Sequence, residues 1–185
     1  MFMFDKNGEV HHQFNVKADK YECAAMVVDS KRKVVITGIR YLKGGNALDV
    51  YENDGQFVRS LGEGLLSYVL DLALASDDRV IVLDGNSYVH MFSEHGDYLS
   101  KFKLFKSNFF PGRGITFHHS SEHVIAAYGA FDHGFLHIYT KDGELVRSNR
   151  IRVRGSDRSQ GGMIVTAEGH VALLSVASGS VFVVC

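Results

Sequence analysis

The chain of 185 residues contains no tryptophan, one proline and two cysteines. Two thiols, Cys23 and Cys185, are too few for a disulfide framework, and they form no CxxC pair. We therefore expect reduced cysteines and a cytoplasmic protein. No apolar run approaches the roughly 20 residues that a membrane helix needs. The first residues also lack the basic and apolar segments of a signal peptide, so we expect no membrane partner.

An excess of charge of one sign is missing as well. The chain has 20 Lys and Arg against 21 Asp and Glu, for a formal net charge of -1, so no global field attracts nucleic acid or a lipid surface. Hydrophobic residues make up 45% and charged residues 22%. This composition is that of a globular domain and excludes a disordered chain.

Two sequence motifs recur along the whole chain. The first is an apolar alternating run, a polar turn ending in glycine, and a second run; it occupies residues 2–14, 48–62, 89–102 and 136–149. Its turn glycines are Gly8, Gly55, Gly96 and Gly143, at intervals of roughly 45 residues. Each follows Asn, Asp or His, a pairing typical of tight hairpins because glycine accepts positive φ without steric cost.

The second motif lies between the copies of the first. It joins two apolar runs by a short polar turn, and it occupies residues 24–38, 72–85, 115–129 and 163–176. Runs of consecutive apolar residues such as 34–36 and 80–82 indicate strands that are buried on both faces. No segment has a sustained helical period, so the two motifs together predict units of four strands, which we label a to d in chain order.

Four-stranded units repeated every 45 residues predict an all-β fold, a β-propeller of four-stranded antiparallel blades. We expect about four blades in residues 1–185, with boundaries near residues 17, 63, 107 and 155. A β-sandwich is the alternative, and the regular recurrence of two different motifs argues against it. Because the chain begins and ends in a c strand, we expect part of a five- or six-bladed propeller whose exposed edges favour self-association. A closed four-bladed propeller stays open as the other interpretation.

The blades resemble the NHL repeat over nearly the whole chain. Segments that match its pattern are 4–8, 26–29, 80–86, 89–92 and 138–143. The aspartate that follows strand a in that family is kept at Asp29 and replaced by Ala75, His118 and Thr166. The resemblance implies a domain like the C-terminal part of tripartite-motif (TRIM-NHL) ubiquitin ligases, where such propellers choose the substrate or bind RNA. The chain has no RING or B-box pattern, so we expect no ligase chemistry of its own.

Catalytic and metal-binding patterns are absent from the sequence. There is no GxSxG, P-loop or GxGxxG motif, so we expect no catalytic residue, with a metal-dependent propeller lyase as the less favoured alternative.

His118, His119 and His123 lie close in sequence. Neighbouring residues of a strand point to opposite faces, however, and no cysteine or carboxylate set at zinc spacing completes a site. We therefore expect neither a metal nor a cofactor.

The connections at one end of the blades are the predicted binding surface. The b–c and d–a connections carry a net positive charge, whereas the a–b and c–d turns carry a net negative charge. Arginine beside aromatic residues is typical of protein interfaces and of single-stranded RNA sites. A protein or peptide is the favoured partner and RNA the alternative, although Phe109 and Phe110 could instead pack beneath their own loop. The predicted binding residues are Arg40, Tyr41, Lys43, Phe109, Phe110, Arg113, Phe131, Arg152, Arg154 and Arg158.

Overall fold

The structure, a computed structural model, contains only strands as regular elements in the part of the chain that it describes. That part comprises residues 2–4, 7–15, 21–29, 31, 34–41, 46–105, 112–129, 133–152, 160–166, 168–175 and 180–184. Among these residues we find no helix of the length and hydropathy required to cross a membrane. The chain divides into two compact units, residues 1–69 and 70–185, which are described one after the other.

In its described residues, the first unit contains a two-stranded and a four-stranded antiparallel sheet. Strand β1 pairs with β2, and β3, β4, β5 and β6 pair in chain order. The strands are β1 (Phe2–Phe4), β2 (Val10–Gln13), β3 (Tyr21–Asp29), β4 (Val34–Tyr41), β5 (Asn46–Glu52) and β6 (Phe57–Leu61).

The second unit contains two four-stranded sheets and one of three strands in its described part, all in chain order. The boundary between the units falls after the first residue of β7. The first sheet has β7 (Val69–Leu74), β8 (Val80–Asp84), β9 (Tyr88–Phe92) and β10 (Tyr98–Lys103). The second has β11 (Gly112–His118), β12 (His123–Gly129), β13 (His133–Thr140) and β14 (Leu145–Arg152). The third has β15 (Gln160–Val165), β16 (Val171–Ser175) and β17 (Ser180–Val184).

The predicted four-stranded units are confirmed. Each complete sheet places strands a, b, c and d side by side. The a strands β3, β7 and β11 each form one edge of their own sheet, and the d strands β6, β10 and β14 each form the opposite edge. The predicted hairpin glycines are confirmed too, because Gly8, Gly55, Gly96 and Gly143 have φ of 83°, 90°, 91° and 90°. These values lie in the left-handed region that favours glycine.

Consecutive apolar residues of the b strands belong to two different cores. In β12, Val124 and Ala126 face the sheet β7–β10, whereas Ile125 and Ala127 face the sheet β15–β17. Successive side chains of a strand point to opposite faces, so a sheet between two others needs apolar residues at every position. The double burial predicted from the apolar runs is thus confirmed in this strand.

An aromatic ring from one sheet packs over the c–d turn of the next sheet in both units. Phe14, just after β2, lies 5.9 Å from the ring of Tyr51 and directly against Gly55. Phe102 in β10 lies 5.4 Å from Tyr139 and equally close to Gly143. A Cβ atom at either glycine would collide with the phenylalanine side chain. The end of a d strand therefore contacts the c–d turn of the following sheet. The sequence pattern predicts the d–a connections and the c–d turns at opposite ends of the blades, and so it does not predict this contact.

We predict that Gly55→Ala destabilises the protein more than Gly64→Ala. Both glycines have positive φ, 90° and 73°, but only Gly64 has open space where a Cβ would lie. The strain of a left-handed alanine costs about 1 kcal/mol at either site, and the overlap with Phe14 adds about 1–3 kcal/mol at Gly55 alone. Urea denaturation measures both variants, and equal losses of unfolding free energy would contradict the proposed packing.

Candidate recognition surface

One buried polar residue occupies the same position in three c strands. These strands read apolar, polar, apolar, aromatic, and the polar residue is Asp49 in β5, His90 in β9 and His137 in β13. All three are buried. A buried polar group must find hydrogen bonds inside the protein, so each position organises the residues around it.

Asp49 links three neighbouring strands of its own sheet. Its Oδ1 accepts a hydrogen bond from Ser60 Oγ at 2.6 Å, and its Oδ2 accepts one from the Tyr51 hydroxyl at 3.3 Å. Its backbone carbonyl accepts a further bond from Thr37 Oγ1 at 3.3 Å. These contacts link β4, β5 and β6, and they identify Asp49 as a structural residue.

His90 and Asp84 shape the b–c connection between β8 and β9. Asp84 Oδ1 accepts the backbone N–H groups of Asn86 and Tyr88 at 3.0 and 2.9 Å. Its Oδ2 lies 3.2 Å from His90 Nε2, and both side chains are buried. An ionised carboxylate can only accept, so Nε2 carries the proton in this contact. His90 Nδ1 has no hydrogen-bond partner among the described residues. The buried contact between Asp84 and His90 thus helps to fix the conformation of this turn.

Phe105 is the most exposed large apolar residue described, and it stands on a buried polar base. It follows β10 directly, and 63% of its surface is accessible. Its backbone N–H donates to the Tyr139 hydroxyl at 2.9 Å, which in turn lies 3.2 Å from His137 Nδ1. The Phe105 and His137 rings are 6.1 Å apart. Burial lowers the pKa of His137, which favours the neutral ring, whose Nδ1 can accept a hydrogen bond from the Tyr139 hydroxyl.

The preceding d–a connection, between β6 and β7, exposes apolar residues as well. Leu65 and Tyr68 are 49% and 38% accessible. Leu66 between them is buried, and the turn closes with hydrogen bonds from the N–H groups of Leu65 and Leu66 to the Gly62 carbonyl. In the described parts of these two connections, exposed apolar side chains thus lie on backbone that is held by hydrogen bonds.

The residues predicted from sequence to bind a partner are not tested by the described structure. The backbones of Arg40 and Tyr41 end β4, Arg113 lies at the start of β11 and Arg152 ends β14, but their side chains lie outside what the structure describes. The remaining predicted residues lie outside the described residues altogether: Lys43, Phe109, Phe110, Phe131, Arg154 and Arg158.

The clustered histidines hold turns of the second unit. His118 Nδ1 lies 2.8 Å from Ser121 Oγ, and its Nε2 lies 3.2 Å from the Gly169 carbonyl. His119 Nδ1 lies 3.3 Å from Ser76 Oγ. In the part of the chain that the structure describes, no group of three or more His, Cys, Asp or Glu side chains is placed to hold a metal ion.

Asp71 connects the inner edges of two neighbouring sheets. It lies in β7, and its Oδ2 accepts the backbone N–H of Ile115 in β11 at 2.9 Å. Its Oδ1 accepts the N–H of Leu72, also at 2.9 Å. Burial raises the pKa of Asp71 to about 6, against the lowering effect of the two N–H donors. A carboxyl group that titrates in this range can act as an acid or a base. Asp71 is therefore a candidate general acid or base that no sequence motif marks.

Sequence reasoning missed Phe105, Asp71 and the buried histidines, although one signal was available. Three c strands repeat a polar residue two positions before an aromatic one, at Asp49, His90 and His137. A polar residue recurring at one point of a buried repeat predicts an internal hydrogen-bond network. No comparable signal marks Asp71, because its partner is the backbone of another strand.

No protein-family model and no curated protein matches the chain by sequence. Solved structures do match by fold. A chain of the nidogen/laminin complex gives a TM-score of 0.70 at 12% identity, covering 94% of this chain and 65% of that one. The WD40 β-propeller domain of Doa1 gives 0.65 at 15% identity, covering 96% and 55%. A catalytically inactive virginiamycin B lyase from Staphylococcus aureus with quinupristin gives 0.60 at 12% identity, covering 92% and 57%.

These similarities establish the fold. The chain has the four-stranded antiparallel sheets of a β-propeller, as predicted, and it spans less than two thirds of the length of the structures it matches. Sequence identities this low support only the fold, because one fold occurs in proteins of many unrelated functions. A propeller is consistent with a protein-interaction module, and the matched structures also include a lyase.

We predict that Asp71 makes stability fall as the pH rises. The folded-state pKa of about 6 exceeds the ordinary value of 3.8, so between these values the folded protein keeps a proton that the unfolded chain has released. The contribution of Asp71 to the unfolding free energy is then highest below pH 4 and declines up to about pH 6. Asp71→Asn should remove this decline in urea titrations at several pH values.

The matched control for this experiment is Asp77→Asn. Asp77 is exposed, and its hydrogen bonds to Arg79 lower its pKa, so this variant should retain the decline. A slope that survives Asp71→Asn would show that another group is responsible.

Proposed function

We propose that the protein is a non-catalytic recognition module that binds a protein or peptide through its d–a and b–c connections. The observation that carries this proposal is Phe105, a largely exposed aromatic ring on a rigid buried base. Aromatic residues with fixed conformations dominate protein-binding energy, because they contribute large contact area at low entropic cost. Leu65 and Tyr68 provide exposed apolar surface in the corresponding connection of the other unit.

Several of the predicted binding residues lie close to Phe105 in the sequence. Phe109, Phe110 and Arg113 follow Phe105 within the same connection and at the start of the next strand. Arginine and aromatic residues beside an anchoring ring have the composition of an interface centre. Asp84 and His90 support the proposal indirectly, because they hold a b–c turn in one conformation.

We further propose that the propeller is of the NHL type and that it selects the substrate of a cytoplasmic tripartite-motif ubiquitin ligase. The support is the resemblance of the repeats, which keep the paired strands and the Asp-x-x-Gly or related turns of that family. Any ubiquitin transfer would then require domains outside this sequence. The likeness to propellers of several kinds supports the recognition role rather than this particular parent protein.

A lyase is the second candidate function, favoured by the structural likeness to virginiamycin B lyase and by the carboxyl group of Asp71 with its raised pKa. Incubation with quinupristin, followed by liquid chromatography and fragment mass spectrometry, tests it directly, because an elimination that opens a ring adds no water and leaves the total mass unchanged. A product with altered retention and fragmentation that is lost in Asp71→Asn would favour the lyase. Unchanged retention and fragmentation, with and without added divalent cations, would remove this candidate.

We predict that Phe105→Ala weakens peptide binding at least tenfold without loss of stability. Peptides are selected against the wild-type protein from a displayed random library, and their dissociation constants are measured by calorimetry. An anchoring aromatic residue contributes about 2 kcal/mol or more. The stability should hold because the ring is mostly in solvent and the backbone bond to Tyr139 remains.

Val146→Ala is the matched control, since Val146 in β14 is 54% exposed but lies in a strand rather than a connection. It should bind the selected peptides as the wild type does. Selected peptides that bind Phe105→Ala normally would contradict the proposal. Oligouridine tests the RNA alternative: affinity that falls steeply with salt concentration and depends on the same ring would favour RNA over a peptide.

A further inference from the structure

The outer strands of the three complete sheets carry cations and no acidic residue. Their sequences are FVRSL in β6, YLSKFK in β10 and LVRSNRIR in β14. The side chains of Arg59, Lys101, Lys103, Arg147 and Arg150 are exposed. A protein whose net charge is -1 thus concentrates positive charge on its d strands.

In β10 two of these cations share one aromatic ring. The Nζ atoms of Lys101 and Lys103 lie 4.8 and 5.0 Å from the ring centroid of Tyr88. The two lysines are two positions apart, so they lie on the same face of the strand. Neither forms a salt bridge with any residue that the structure describes. Two ammonium groups therefore lie over one ring, and no acidic side chain in the described part of the chain neutralises them.

The backbone of β10 is also open at the positions of these lysines. Leu104 N–H donates to the Ser87 carbonyl at 3.0 Å, so this pair is hydrogen-bonded across β9 and β10. In an antiparallel ladder, hydrogen-bonded and non-hydrogen-bonded pairs alternate. The register Lys103↔Tyr88 and Lys101↔His90 therefore belongs to non-hydrogen-bonded pairs. The N–H and C=O groups of both lysines point away from β9, toward the free edge of the sheet.

We infer that the β10 edge binds an extended acidic peptide segment as an added antiparallel strand. Residues of such a strand opposite Lys101 and Lys103 would exchange backbone hydrogen bonds with them. Their side chains would lie on the face that carries the two ammonium groups. Aspartate or glutamate at alternate positions of the segment would pair with both lysines at once. Tyr98 and Leu99, both exposed, offer apolar contact beside the bulge at Tyr98/Ser100.

A peptide fits this edge better than a nucleic acid does. The outward N–H and C=O groups alternate with groups already used inside the sheet, and only another peptide backbone matches that spacing. Two cations on a single strand are also fewer than the several phosphate contacts of a typical nucleic-acid site. This surface is separate from Phe105 and does not depend on the proposed function.

The test uses a fluorescent peptide of alternating glutamate and threonine, with binding followed by anisotropy. We expect the wild-type protein to bind it, and the double variant Lys101→Glu/Lys103→Glu to lose affinity at least tenfold. The reason is that two attractive surface pairs become two repulsive ones. An isomeric peptide with its glutamates grouped together has the same charge and should bind several-fold more weakly.

The matched protein control is Arg147→Glu/Arg150→Glu in β14. It reverses the same number of charges on an outer strand, but these two residues pair with Ile138 and Phe135 and so lie on opposite faces. Affinity should change less than about threefold, because only long-range attraction is altered. Phe105→Ala should bind the acidic peptide like the wild type, which separates this surface from the one under Proposed function.

Backbone pairing is tested with two methylated peptides. N-methylation of the glutamates removes the N–H groups that face Lys101 and Lys103 and should abolish binding, whereas N-methylation of the threonines should be tolerated. The inference is overturned by any of three results: no binding, equal binding of the alternating and grouped peptides, or equal losses in the β10 and β14 variants. Tighter binding of oligouridine with the same lysine dependence would also overturn it, in favour of a phosphate ligand.

Discussion

In each unit, one pair of neighbouring sheets is held together by a phenylalanine ring that lies over a glycine turn and against a tyrosine. Phe14 does this at Gly55 and Tyr51, and Phe102 does it at Gly143 and Tyr139. The contact needs a turn without a Cβ atom, so the residue that allows the hairpin also allows the next sheet to approach. The Tyr139 hydroxyl also accepts a hydrogen bond from the backbone N–H of Phe105. The position of the exposed Phe105 ring in the proposed binding surface therefore depends on this packing.

Most of the buried polar side chains described above stabilise turns and neighbouring strands through hydrogen bonds. Asp49, His90 and His137 occupy one structural position in three blades, yet each satisfies it with different partners: a serine and a tyrosine, an aspartate, and a tyrosine. A catalytic group would be needed in one blade only. A role repeated around the fold therefore identifies these residues as supports for turns and outer strands, and Asp71, which has no counterpart in this pattern, stands apart from them.

The sequence predicts the strands well and the site poorly, for a physical reason. Strand order and hairpins depend on local patterns, such as alternating apolar residues and a glycine that needs positive φ, and Gly96 and Gly143 behave as predicted. Binding residues were inferred from the composition of connections, which does not determine their conformation. Asp71 was invisible because its partner, the N–H of Ile115, lies in a strand of the next sheet, and only the packing of the two sheets brings them together.

The lysines of β10 also bear on the self-association expected from exposed edges. Lysine at an edge strand commonly prevents unwanted pairing. If β10 of a second copy added to the same edge as an antiparallel strand, it could pair with Phe102 opposite Phe102. Lys101 of each copy would then lie opposite Lys103 of the other, on the face of the sheet that carries Tyr88. Like charges directly opposite each other destabilise a strand pair, whereas carboxylates at the same positions stabilise it. The arrangement that repels an identical copy is thus the one that selects an acidic strand, so protection of the edge and recognition of a partner follow from the same two charges.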